Sequence, residues 1–297
     1  ELRQTKKRDW FLSVKIGDKT GRVDLKIWGI PDLEKDKVFN WLEKEKVYIV
    51  EADIRSFRDQ AELHMNWDAD GKNRPIECCF CDDNEVSEYL VEDFVDIPTG
   101  WTKESVTVMW NYIENTIESL SHQWYKTILQ HLFVRDELKN KFLNWPAAKF
   151  YHHAYYNGLL QHTYEMLRLL ETFIVQYDYL NFDLLKTAII LHDFGKIEEY
   201  TMGLQIGYNE EAFLIGHMVI VVRLVDQLVW QNKMDIEQSD LIKLYHLILS
   251  HHGEIKEAQG SAVSPKLPEA KLLYHLDLVS SGLNKNWLEL KRQGEVD

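Results

Sequence analysis

Nine of the twelve histidines lie beyond Phe150, and their spacing against apolar residues turns most of them inward on helices. His162 shares a face with Met166, Leu169 and Phe173, His217 with Ile220, Val221, Leu224 and Leu228, and His251 with Leu244, Leu247 and Ile248. His192 and Lys196 are four residues apart with Ile189 one turn earlier, so His192, Asp193 and Lys196 emerge together from a buried face. Asp277 follows Leu273 by four, inside the apolar run 272–276. One inward histidine is an ordinary core residue. Burying several imidazoles with two carboxylates is different, because each uncompensated charge costs several kcal/mol. Divalent cations remove that penalty by coordinating all of them. Mixed His/Asp ligation suits Mn, Fe, Zn or Ni better than Ca or a lone Mg.

The elements that must hold these residues are helical. Beyond Trp101 the spacing predicts helices over residues 103–121, 122–143, 159–177, 183–200, 211–231, 239–250 and 268–288, with no return to strands. Residues 101–297 are therefore expected to form an all-α domain. The first 80 residues differ. Apolar residues alternate from Trp10 to Ile16, residues 17–21 give a turn, and Val23, Leu25 and Ile27 resume the alternation, which predicts a hairpin. A helical stretch to about Trp41, a strand over 47–54 and another around Leu63, Met65 and Trp67 complete a compact barrel over 1–80. Acidic residues and Pro98-Thr99-Gly100 make 81–100 a linker. The fold class expected is multidomain α+β, a small β-barrel followed by a helical bundle.

The order His162, His192-Asp193 with Gly195-Lys196, His217, His251-His252 and Asp277 resembles the ligand series of HD-domain phosphohydrolases in their extended, two-metal form. Pro146-Ala147-Ala148-Lys149, His152-His153-Ala154-Tyr155, the stretch from Gly158 to Thr163, Ile215-Gly216-His217, Ser250-His251-His252-Gly253 and the stretch from Pro265 to Ala270 resemble the YhaM-type 3′-to-5′ exoribonucleases over nearly the whole chain. That resemblance implies that the barrel is an OB-fold, with Glu1-Leu2-Arg3-Gln4 supplying only the end of its first strand. It implies one metal on His162, His192, Asp193 and Asp277, and a second sharing Asp193 and adding His217, His251 and His252. Two divalent transition-metal ions are expected, manganese first, with Fe, Co, Ni or Zn as alternatives, in a two-metal hydroxide mechanism. Lys196 could pair with a phosphate oxygen or assist the leaving group, or be a solvated lysine at a helix end. His152 and His153 could contact the scissile or a neighbouring phosphate, or be structural at a helix start. Family members usually have a second acidic residue at the position of Ser280, so a contact behind the ligands is expected to be lost.

The activity implied is 3′-to-5′ exonucleolytic release of nucleoside monophosphates from single-stranded RNA, with DNA also open. Alternatives are hydrolysis of small nucleotides (cyclic dinucleotides or nucleoside triphosphates) and non-catalytic binding of nucleic acid. The formal charge of −14 argues against holding nucleic acid by bulk electrostatics. Residues 1–80 are neutral, with 16 Lys plus Arg and 16 Asp plus Glu, so a polyanion meets that part more easily, near Lys6, Lys7 and Arg8. Trp10, Phe11, Trp28, Phe57 and Trp67 lie on or near its strands; Phe11 and Trp28 are out of phase with the buried set and are the stacking candidates, with core packing the alternative for any one ring. Cys78 and Cys81 have zinc-like spacing without a second pair. Short, charge-flanked apolar runs, the absence of a signal peptide and three crowded cysteines fit a soluble protein of the reducing cytoplasm with no membrane contact. A homo-oligomer is compatible with the sequence.

Overall fold

The structure, a computed structural model, describes residues 1–5, 9–18, 21–42, 47–50, 52–57, 60–67, 76–78, 102–149, 152–202, 206–255 and 261–293. Lys6, Lys7, Arg8, Cys81 and the expected linker lie outside the described residues. The chain divides into two compact units, one holding the N-terminal strands and the other the helices from residue 103 on.

In the first unit the alternating segments form strands β1 (Leu2–Gln4), β2 (Trp10–Asp18) and β3 (Gly21–Ile30), followed by helix α1 (Lys35–Trp41) and strands β4 (Val47–Ile49), β5 (Asp53–Phe57), β6 (Gln60–Asn66) and β7 (Ile76–Cys78). A mixed five-stranded sheet has the order β1-β2-β3-β6-β5, and β4 pairs with β7. β2 and β3 make the expected hairpin. β3 and β6 run parallel, with Leu25 beside Leu63 and Ile27 beside Met65, and the crossover that a parallel pair requires runs through α1, β4 and β5. Leu12, Leu25, Ile27, Ile30, Val38, Met65 and Trp67 form the core of this unit.

Two expectations change here. The strand expected over 47–54 is two short strands, β4 and β5, and a closed barrel is not formed among the described residues, where β1 and β5 end the five-stranded sheet. Alternation specifies which face of a strand is buried; it says nothing about which edges pair.

The second unit contains α2 (Lys103–Glu118), α3 (Gln123–Phe133), α4 (Asp136–Asn144), α5 (Gly158–Ile174), α6 (Phe182–Leu191), α7 (Lys196–Glu199), α8 (Glu210–Ile215), α9 (His217–Gln231), α10 (Gln238–Ser250) and α11 (Pro268–Gln293). Helix α6 is its centre: Leu184, Leu185, Ala188, Ile189, Ile190 and Leu191 are all buried. Its start is fixed by Asn181, whose side chain accepts the Leu184 amide at 3.0 Å. No described helix is long and apolar enough to cross a membrane.

The all-α expectation is corrected by a two-stranded ribbon, β8 (Tyr200–Met202) with β9 (Ile206–Tyr208). Strands of three residues are too short to show a period of two. Three expected helices are also broken. Residues 122–143 divide into α3 and α4, 183–200 into α6, α7 and β8, and 211–231 into α8 and α9 at Gly216, whose φ of 76° no helix accommodates. Two of these breaks fall at proposed ligands, because a helix end frees the backbone to aim a side chain that a continuous helix could not.

Candidate metal centre

Helix α6 stops one residue before His192, and residues 192–195 turn sharply, with the Phe194 amide on the Leu191 carbonyl and the Lys196 amide on that of Asp193. Phe194 anchors this turn between Phe133 and Phe142, its ring 5.7 Å from each. Four further elements converge on it: α5 brings His162, the start of α9 His217, the end of α10 His251 and His252, and α11 Asp277.

The geometry divides around Asp193. Its Oδ2 lies 3.4 Å from Nε2 of His192 and 3.8 Å from Nε2 of His162, while its Oδ1 lies 3.5 Å from Nε2 of His217 and 3.6 Å from Nε2 of His251. His162 Nε2 is also 3.2 Å from Oδ1 of Asp277. Asp193, His217, His251 and His252 offer ligand atoms within one ion's reach of each other, and so do His162, His192 and Asp193.

The tautomers follow from what the far side of each ring does. His192 Nδ1 donates to the Ile189 carbonyl and His251 Nδ1 to that of Ile248, both at 2.7 Å, while His217 Nδ1 donates to Glu199 at 2.8 Å. His162 Nδ1 meets Ser280 Oγ at 2.9 Å. With Nδ1 engaged, each Nε2 presents a lone pair to the centre. Those of His162 and His192 face one another at 3.3 Å, and Nε2 of His217, Nε2 of His251 and Oδ1 of Asp193 are buried without a hydrogen-bond partner. Lone pairs converging in a dry site repel unless a cation lies between them. The residues present therefore fit divalent metal.

The charges agree. Burial favours neutral acids, yet Lys196 and His192 hold Asp193 well below the usual carboxylate range, and His162 does the same for Asp277. Burial opposes a charge on His192, but Asp193 outweighs it and raises its pKa, so without metal a proton competes for the same Nε2 lone pair. Lys196 is buried at 5% exposure, with Nζ 2.6 Å from Asp193 Oδ2. Lys196 is therefore not a solvated lysine at a helix end.

Two sequence candidates differ in their setting. His152 joins His162 and Asp277 in a group of possible ligands, its pKa pushed down to about 2 chiefly by burial. His153 is wholly buried with φ at 48°, and its Nε2 donates to Glu165 at 3.1 Å. Sequence reasoning missed Glu199, which accepts both the His217 ring and the His217 amide, and it missed Glu165. The contact expected to be lost at Ser280 is present, made by a hydroxyl instead of a carboxylate.

Burial also pushes His252 down to about 2 and His251 to about 4. Unfolded, these rings and His152 take a proton near pH 6.5. Below that pH the unfolded chain binds more protons than the folded one, so stability is full above about pH 6.5 and is lost progressively towards the folded pKa values. Burial lowers His153 and His246 in the same sense, and His192 runs in the opposite one. The unfolding free energy in excess chelator should therefore fall from about pH 7 to pH 5, by at most about 1.4 kcal/mol per pH unit for each of the rings His152, His251 and His252, and the melting temperature should fall with it. A flat profile would contradict their burial as neutral imidazoles.

In the N-terminal unit, the nucleic-acid candidates Phe11 and Trp28 lie off the core and stack on each other, with centroids 4.5 Å apart and planes at 21°. Trp28 Nε1 donates to His64 Nδ1 at 3.0 Å, and His64 Nε2 donates to Glu62, which also pairs with Lys26. Phe57 is exposed beneath the Lys26 ammonium. Trp67, by contrast, belongs to the core, its Nε1 on Glu34.

No solved structure matches the chain. The HD domain family matches residues 159–282, a span that contains His162, His192, Asp193, Lys196, His217, His251, His252 and Asp277 and leaves His152, His153 and the N-terminal sheet outside. An HD domain is thus present in this chain at residues 159–282, and with its His/Asp cluster it indicates a metal-dependent phosphohydrolase.

Proposed function

We propose that the chain is a two-metal phosphodiesterase that degrades single-stranded nucleic acid, RNA by preference, from the 3′ end to nucleoside monophosphates. The observation that carries the two-metal reading is the division of Asp193, one oxygen facing His162 and His192 and the other His217 and His251. Divalent ions bound there, manganese first, supply Lewis acidity for a phosphodiester and a nucleophile at neutral pH.

The protein's own groups do the rest. Asp277 completes the first set and His252 the second. The Lys196 ammonium orients Asp193 and adds positive charge where the phosphate arrives. His152, kept neutral by burial, meets substrate as an imidazole and not as an acid. His153, tied to Glu165, holds the loop that carries His152.

The preference for single strands is supported by the Phe11–Trp28 pair, two stacked, partly exposed rings off the core of the sheet, a kind of surface on which OB-folds stack bases. Incubation with Mn²⁺ and end-labelled strands should give a ladder and mononucleotides, with longer strands cut at lower KM than dinucleotides. Cyclic dinucleotides or nucleoside triphosphates as the best substrates, with no advantage of length, would replace this reading by nucleotide hydrolysis. Binding without cleavage would make the chain a binding protein.

The double change Phe11→Ala with Trp28→Ala should weaken single-strand binding by about 1–3 kcal/mol per ring, read by fluorescence anisotropy. Because the two rings stack on each other, either single change should already cost more than half of the total. An unchanged Kd for the double variant would remove the sheet from substrate capture.

A further inference from the structure

Behind His162 the hydrogen bonds have a direction. Glu165 Oε2 is 2.7 Å from Ser280 Oγ and 3.1 Å from His153 Nε2, and its Oε1 accepts from Gln161 Nε2 at 2.7 Å. A carboxylate surrounded by donors has no proton to give. The Ser280 hydroxyl must therefore donate to Glu165, which leaves Oγ an acceptor for His162 at 2.9 Å. The imidazole proton is thereby fixed on Nδ1 and the lone pair on Nε2, the atom that faces Asp193 and Asp277.

The relay is held rigidly. Ser280 is 3% exposed and His162 fully buried. Gln161 and Glu165 are one turn apart on α5, Ser280 and Asn284 one turn apart on α11. Asn284 donates to the Tyr155 hydroxyl at 3.0 Å, which donates to Gln161 at 2.6 Å, and Asn284 Oδ1 accepts the His153 amide at 2.7 Å. The two helices and the 153–155 loop are laced into one closed hydrogen-bonded ring around Glu165.

We propose that Glu165 is the positioning carboxylate of His162, acting through Ser280, so that an acid on α5 does the work of the acid that the resemblance leads one to expect at position 280. The assignment rests on the reading of His162 as a metal ligand; the orienting partner of a ligating histidine sets its basicity and its tautomer. Glu165→Gln keeps the shape and reverses the polarity: the new amide can donate to Ser280, which can then donate to Nδ1 and move the ring proton to Nε2.

The test uses the full chain and metal alone, so it stands apart from any substrate. Titration with Mn²⁺ should show affinity reduced about 10–100-fold in Glu165→Gln and in Ser280→Ala, with the double variant no weaker than the weaker single one. Ser280→Asp in the Glu165→Gln background should restore affinity by accepting the Nδ1 proton directly. A second readout needs no metal: ¹⁵N resonances of His162 should report the Nδ1-protonated tautomer in the parent and a mixture in either variant. If Glu165→Gln unfolds, Ser280→Ala, which removes a single atom, carries the test. Unchanged tautomer and affinity, additive losses in the double variant, or failure of Ser280→Asp to rescue a folded chain would each overturn the proposal.

Discussion

Asp193→Ala is expected to reduce metal-dependent phosphodiester hydrolysis by at least roughly a thousandfold, about 4 kcal/mol in the barrier, and to lower the melting temperature as well. The first effect follows from position. Every other residue of the cluster serves one side of the centre, whereas the two Asp193 oxygens face both sets of imidazoles, so in the proposed two-metal centre its loss would loosen both metals together. The second effect comes from Lys196. Its ammonium is buried 2.6 Å from Asp193 Oδ2, and removing the carboxylate strands a charge in a dry site at a cost of about 3–5 kcal/mol. The two effects are separable. Adding Lys196→Met to Asp193→Ala should recover most of the stability and none of the activity. Rates on bis(p-nitrophenyl) phosphate with Mn²⁺, bound-metal stoichiometry and melting in chelator measure all three. A variant retaining a tenth of the parent rate refutes the shared role of Asp193, and a single variant as stable as the parent refutes the ion pair.

The clustering of the candidate metal-binding side chains was legible in the sequence because its signal is local. His162, His217 and His251 each stand on an apolar helical face, and His192-Asp193 follows a buried run, so residue type and spacing alone nominate them. What holds these side chains was not legible. Glu199 serves His217 from another element, and Ser280 reaches His162 across 118 positions. Such partners have no periodic signature, and a glutamate on a mixed helix reads as solvated. His152 illustrates the middle case: its neighbourhood was anticipated, but its grouping with His162 and Asp277 requires the turn that precedes α5.

The fold was legible where one period ran long enough. Helices α2, α5, α10 and α11 lie close to their expected bounds, and so does the β2–β3 hairpin. The two breaks at the centre were missed for different reasons: residues 192–195 interrupt a run whose two sides, Leu191 and Ile197, are buried in the same core, whereas before Gly216 the apolar residues Phe213, Leu214 and Ile215 extend the hydrophobic pattern although they are exposed. The β8–β9 ribbon and the pairing of β4 with β7 depend on partners distant in sequence, which alternation cannot name.

Gly195→Ala is the test of that interrupted geometry. Gly195 has an ordinary helical φ of −63°, so it is not needed for conformational freedom. Space is what requires it. A Cβ at this position would lie 2.3 Å from the carbonyl oxygen of His217 and 2.9 Å from its carbonyl carbon and Cα, all main-chain atoms that cannot rotate away. Restoring an ordinary C···O contact of about 3.3 Å requires the starts of α7 and α9 to separate by about 1 Å. α7 carries Glu199, which holds the His217 ring and amide, so the shift also strains the bonds that aim His217 at Asp193. A displacement of that size in a catalytic constellation costs roughly a hundredfold in rate, and overpacking of this kind destabilises by about 1–3 kcal/mol or more. Gly282→Ala supplies the control. It sits within α11, where an added Cβ would meet nothing inside 4 Å, and alanine there should be neutral or stabilising by up to about 1 kcal/mol. Rate, Mn²⁺ stoichiometry and melting temperature should all separate the two variants, and if Gly195→Ala behaves like Gly282→Ala, the close approach of the Asp193 turn to His217 is not what assembles the centre.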